Sequence, residues 1–442
     1  GVLGLVVLDE TVVGVALPTI ATDLNMTQVT AHWVVNAYLL TFTCAVAVAG
    51  KLGDVVSRHA LFQIGMAIFG LSSLTAGFAQ SGAWLVGATA VQGIGAAIIF
   101  PTSFAVVTAA FPPERRGSAF GVQTTIAGIF MAAGPLVGGF FAEAISWRWI
   151  FWLNIPIVVL IAAVASANWS PAFDGEKAET SDGDGFDTVG LVTLVVGLVA
   201  FVTALMEGSR WGWQSPATLS VLIGGLLVLT YFVVVERKKS DPLVDLALMR
   251  IRTFTGGILI FFVFQFNKIV VFVFVPLYLQ TVRGWSAIDS GLVLMVAILP
   301  TLLTSIVAGR LSERYGARGP TSVGLALNGG AVMLLTLGTW LGQDWMIVVA
   351  LVLWGATLPS ISVVPRHALM NAVPAAQHSQ ASGVNLTVQM LGGTIGMALC
   401  TTLYLISHDF WLVFLVTGLF VLATIAVSQG MINREGPTTD PA

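Results

Sequence analysis

Three charges interrupt the apolar stretches of this 442-residue chain: Asp9, Glu10 and Lys268. At the centre of a membrane helix each costs about 2.5–3.5 kcal/mol on insertion scales, so each implies a task or a partner. A buried carboxylate can take up a proton or attract a cation. A buried ammonium can keep a carboxylate ionised, or anchor an anion. Consecutive helical residues point about 100° apart, so Asp9 and Glu10 cannot both face one cavity squarely. Asp9 is read as cavity-facing, and Glu10 as facing either the cavity or a neighbouring helix.

Lys268 follows Asp9 by 259 positions, and an interval of 258–259 recurs along the chain. The stretch from Gly50 through Asp54 to Arg58 is echoed by Gly309, Glu313, Arg314 and Gly316, with Arg318 just beyond. Both read as short charged connectors between apolar runs. Pro18 matches Pro276, Pro101 matches Pro359, and the cluster Gly134, Pro135, Gly138, Gly139 matches Gly392, Gly393 and Gly396. A parallel repeat of this kind implies a pseudo-two-fold axis along the membrane normal, with the binding site between the halves. Asp9 and Lys268 would then face one another, Lys268 holding Asp9 ionised. A plain ion pair locking the halves, or a snorkelling lysine, remains the alternative.

These positions require helices in lipid. Charged residues make up 9% of the chain and hydrophobic ones 56%, with mean hydropathy +0.91. Soluble domains carry about 25% charged residues, so water cannot be the main solvent. Fourteen apolar runs are long enough to span, the first near 1–20 and the last near 410–431. They lack the alternation of β-barrel strands, which leaves an all-α fold. With the N-terminus inside, inner loops and tail collect fifteen of the 19 Lys and Arg, and the outer loops only Arg148, Arg210 and Arg283. That bias sets both termini in the cytoplasm, in a multi-pass protein of the cell membrane. The domains expected are a six-helix bundle at 1–169, an acidic linker with two inserted spans and a basic loop at 170–252, a second bundle at 253–432, and a tail at 433–442.

Other signals are weaker. Asn36, Tyr38, Gln92, Gln123, Phe264, Asn267 and Gln389 lie inside spans, where they either line a cavity or pack. Trp33, Trp147, Trp149, Trp211, Trp213, Trp285 and Trp345 read as interface markers, and Asp23, Glu207 and Asp344 as lone acids of short outer loops. An intramembrane enzyme would want paired acids in an outer loop and a soluble domain, so catalysis is not expected. The five histidines lack metal spacing and the two cysteines sit in apolar runs, so no metal, disulfide framework or cofactor is implied. A net charge of −3 gives no reason to expect nucleic acid. No cleavable signal pattern opens the chain, and a short leader upstream of Gly1 is expected.

Several stretches together resemble the major facilitator superfamily, and within it the fourteen-span drug:proton antiporters. They are Leu8-Asp9-Glu10-Thr11 through Leu17-Pro18, Trp33 to Leu40, Gly50 to Arg58, Gly134-Pro135-Leu136-Val137-Gly138-Gly139, and Trp147 through Asn154 to Pro156. The resemblance implies two six-helix bundles plus two inserted helices, acting as a monomer. It implies alternating access and export of lipophilic small molecules against protons. Asp9 would occupy the acidic position of the first span. The Gly50–Arg58 and Gly309–Arg318 stretches would form inner charge contacts, and Gly134–Gly139 would be the antiporter motif. There are departures: Thr89 stands where the family usually has an arginine associated with proton coupling, Val55, Ser57 and His59 differ from the usual loop, and Phe130 replaces a common glycine. Two acids against one base favour cationic cargo. Export of an endogenous lipid or metabolite, with or without proton coupling, stays open.

Overall fold

The computed structural model describes residues 2–55, 57–111, 113–169, 187–239, 246–374 and 377–433. The acidic linker at 170–186, part of the basic loop, and the tail from 434 lie outside the described residues. The helices are α1 (Val2–Asp23), α2 (Gln28–Val55), α3 (Arg58–Gly77), α4 (Gly82–Ala110), α5 (Pro113–Phe140), α6 (Arg148–Trp152), α7 (Asn154–Asn168), α8 (Thr188–Trp211), α9 (Pro216–Glu236), α10 (Arg252–Thr281), α11 (Ala287–Tyr315), α12 (Arg318–Leu341), α13 (Asp344–Asn371), α14 (His378–Ser407) and α15 (Phe410–Met431). With α6 and α7 forming one interrupted span, 14 helical segments among the described residues can cross a membrane by length and composition. No strand occurs there, and the all-α reading holds.

Local chemistry sets the ends. Ser57, Ser81 and Ser215 accept a hydrogen bond from the third amide of α3, α4 and α9, satisfying a donor that the helix leaves open. Gly212, Gly284, Gly316 and Gly342 leave helices with positive φ. One expectation needs correcting. The charged connectors are not simple loops, because α2 continues to Val55 and α11 to Tyr315. Both helices outrun their apolar length, since charged residues in water hold a helix as well as apolar ones in lipid.

The chain forms two compact units. The first comprises Gly1–Leu243 with Val275–Leu292. In it α4 packs against α2 and α3, α1 against α5, and the inserted pair α8–α9 on itself and, through α8, on α2. The second comprises Val244–Phe274 with Val293–Ala442, where α12 packs against α13 and α15. α1 and α10 carry the intramembrane charges and are 78% and 83% buried in their apolar windows, against 17% for α9. Glycines make close approach possible in both units. A Cβ on Gly134 or Gly138 of α5 would strike Thr11 or the Val12 carbonyl of α1, and one on Gly392 of α14 would strike the Phe262 carbonyl of α10.

Candidate functional site

Asp9 is buried, 3% exposed, on α1. Its Oδ1 accepts from Gln92 Nε2 of α4 at 2.9 Å and from Asn154 Nδ2 of α7 at 2.8 Å. Both amide nitrogens also donate to Ser73 Oγ of α3, at 3.3 and 2.9 Å. Ser73 Oγ in turn donates to the Phe151 carbonyl at 2.9 Å. All four polar side chains are sealed from solvent, so each hydrogen bond acts in a low dielectric, where an unmet group would be costly. Asn154 reaches Asp9 because α6 and α7 part at Leu153. Pro156, lacking an N–H, cannot bond the Trp152 carbonyl, and the chain turns there.

Beside the carboxylate lies a cavity of about 20 Å³, bounded by Asp9, Glu10, Tyr38, Thr89, Gln92 and neighbouring Val and Leu side chains. That is room for one water molecule. Tyr38 Oη and Gln92 Oε1 are buried without a hydrogen-bond partner. Thr89, which borders the same cavity, bonds through Oγ1 back to the Val86 carbonyl at 3.1 Å. Asp9, Glu10, Tyr38 and Gln92, all singled out from sequence, thus meet in one place. Asn36 is fully buried elsewhere on α2 with no partner for its amide, and Gln123 donates to Ser103 Oγ at 3.2 Å.

In the second unit the sequence candidates form two groups. Asn267 Nδ2 donates to Asn328 Oδ1 at 2.7 Å, and Asn328 donates to Thr357 Oγ1 and the Trp354 carbonyl. Gln389 Nε2 donates to Gln265 Oε1 at 3.4 Å. Lys268 is buried, with its Nζ 6.0 Å from the centroid of the half-buried Phe264 ring. Of the Gly50–Arg58 stretch, Gly50 and the side chain of Asp54 lie outside the described residues. Arg318 Nε donates to Gln429 Oε1 at 3.1 Å, and Arg314 stacks over Tyr315 at 5.3 Å. A Cβ on Gly139 of α5 would strike the Ala287 carbonyl at the start of α11, and one on Gly291 would strike the Pro135 carbonyl.

Trp147 is 2% exposed and donates through Nε1 to Asp23 Oδ2 at 2.8 Å. Asp23 pairs with Arg148 at 3.0 Å, and Glu207 with Arg210 at 3.0 Å while accepting from Trp33 Nε1. Ser73 and Asn154 were missed as site residues. Asn154 sits in the Trp147–Pro156 stretch that carried the resemblance, and it is a lone amide in an apolar run, the same signal that picked out Gln92. At the N-terminus of α8 a further cluster holds Asp187, which accepts from Lys239 and Gly190 N–H. Burial pushes the Asp187 carboxyl up, yet the bonds from Lys239, Glu236 and Gly190 and the Lys239 charge hold it below its ordinary value.

A neutral-donor cage around one carboxylate can hold it ionised or let it be protonated. Neither state needs a metal, and no group of three or more metal-ligating side chains occurs among the described residues. Comparison with known proteins agrees with the architecture. Residues 2–397 match the model of the Major Facilitator Superfamily. The chain is 30% identical over 396 residues to the tetracenomycin C resistance and export protein of Streptomyces glaucescens, covering 89% of this chain and 72% of that one. It is 32% identical over 408 residues to the puromycin resistance protein pur8 of Streptomyces alboniger, covering 90% and 79%. It is also 31% identical over 397 residues to the multidrug resistance protein Stp of Mycobacterium tuberculosis, covering 90% and 73%. By this match and by its fourteen apolar helices, the chain is a multi-pass membrane protein that belongs to the Major Facilitator Superfamily.

Proposed function

We propose that the chain is a secondary active transporter that exports lipophilic, cationic small molecules across the cytoplasmic membrane in exchange for protons, by alternating access, as a monomer with both termini inside. The observation that carries this reading is Asp9, a carboxylate buried in a membrane helix, held by neutral donors and open to a small cavity. Its relatives are resistance and export proteins, which supports a drug-like cargo.

The mechanism is one of mutual exclusion. Ionised Asp9 attracts a cation, and protonated Asp9 does not. A ligand shifts an equilibrium only by its differential affinity for the two states. Cargo therefore favours the deprotonated state and a proton favours the cargo-free one, so alternating access exchanges the two. Thr89 supports a second reading. With no arginine beside Asp9, an uncoupled exporter of a lipid or metabolite would look the same at this position.

Transport of ethidium in proteoliposomes under an imposed pH gradient separates the readings. Wild type is expected to accumulate the dye against its gradient, and Asp9→Asn to lose gradient-driven movement by at least tenfold. Equal transport with and without the gradient in wild type would overturn antiport.

A further inference from the structure

We infer that Ser73 and Asn154 are positioning residues that fix Asp9 so that it gains and loses its proton on Oδ2 alone, through the one-water cavity bounded by Tyr38, Thr89 and Gln92. This inference rests on the exchange reading above.

The hydrogens around Asp9 can be counted. An amide nitrogen has two, and both nitrogens spend one on Asp9 Oδ1 and one on Ser73 Oγ. The serine hydroxyl has one, given to the Phe151 carbonyl, and its two lone pairs receive the amides. Four atoms thus close a ring in which every polarity is set. Neither amide can flip, because its oxygen would then meet an acceptor on both sides. Oδ1 accepts two N–H groups, so a proton added there would displace one of them. Both described hydrogen bonds to the carboxylate fall on Oδ1, which leaves Oδ2 to the cavity that Asp9 borders.

The cavity is equipped to carry the proton. Gln92 belongs to both places, its nitrogen in the ring and its side chain bordering the cavity, as Tyr38 does; Gln92 Oε1 and Tyr38 Oη are buried and unpartnered. A water there can receive a proton from the aqueous side and pass it to Oδ2. Asp9 changes from carboxylate to neutral acid, the water returns to its starting form, and release runs in reverse.

The titratable neighbours are few among the described residues. Glu10 is on α1 itself and Tyr38 on α2. α4 presents neutral Gln92 and Thr89, α7 neutral Asn154, and α5 meets α1 through Gly134 and Gly138. Glu143, Trp147 and Arg148 lie at the other end, where Arg148 pairs with Asp23. Lys268 is the base assigned to Asp9 from the repeat interval.

The test is a pH titration with two readouts. One is ethidium exchange in proteoliposomes. The other is the infrared band of the protonated Asp9 carboxyl, identified by its loss in Asp9→Asn, which needs only folded protein. Ser73→Ala and Asn154→Leu each weaken the donors that steady the ionised form. Both are expected to move the midpoint up by about one pH unit in both readouts. Ser73→Thr, which keeps the hydroxyl, should return the wild-type midpoint. Thr89→Leu fills the cavity and should slow proton exchange at Asp9 severalfold. An unmoved infrared midpoint in Ser73→Ala overturns the ring as a positioning device and makes it packing. An unaltered exchange rate in Thr89→Leu overturns the port. If Asp9 titrates as expected but the gradient drives no ethidium in wild type, the exchange reading fails while the ring stands.

Discussion

Asp9 carries a charge where the membrane penalises charge, and Gln92 and Asn154 each meet it with an N–H. Its partners were only half legible. Gln92 could be selected as an amide inside a span, whereas Ser73 could not. Serine is common in membrane helices, where its hydroxyl often returns to its own backbone, as Ser72 does to the Ile68 carbonyl at 2.7 Å. Which serine turns outward depends on neighbours from other helices, and a sequence does not carry those. Lys268 is the matching case in the second unit. If it favours ionised Asp9, Lys268→Gln should shift the pH midpoint of transport upward, because protonation then meets less opposition. Ethidium exchange measured between pH 5 and 9 checks this; an unshifted midpoint would reduce Lys268 to a structural charge.

Helix existence and type were readable throughout, because about 20 apolar residues in lipid can satisfy their backbone only as a helix. The C-terminal ends of α2 and α11 were not, since charge marks where the apolar run stops and not where the helix stops. The glycine cluster of α5 was visible, and the structure adds which glycines touch backbone. A Cβ on Gly138 would come within 2.4 Å of the Val12 carbonyl, whereas Gly330 of α12 has nothing within 4 Å. Gly138→Ala should therefore destabilise by about 1–3 kcal/mol. Gly330→Ala should be neutral or stabilise by up to about 1 kcal/mol. Thermal unfolding of the two purified variants in the same detergent compares them, and equal midpoints would remove the packing argument for the cluster.

At the level of the whole chain, residues 258 positions apart share structural settings. Pro18 and Pro276, and Pro101 and Pro359, all lie inside helices, in α1, α10, α4 and α13. Gly134 and Gly392 both let a helix approach the backbone of the helix that carries an intramembrane charge. Duplication thus conveys a packing rule as well as a topology. The interval offered no guide to the residues between the repeats, and the docking of α8 on α2 emerged only from coordinates.

That docking bears on whether the protein could be trimmed to twelve spans. Trp33 of α2 gives its indole N–H to Glu207 of α8 at 3.0 Å. Excising residues 187–239 would remove that acceptor from a half-buried indole N–H, which would have to find another partner. A shortened protein carrying Trp33→Phe should accordingly survive purification better than one keeping the tryptophan, as size-exclusion profiles would reveal; indistinguishable profiles would mean the indole is a bystander. The extra hairpin is thus an accessory on which its host has come to depend.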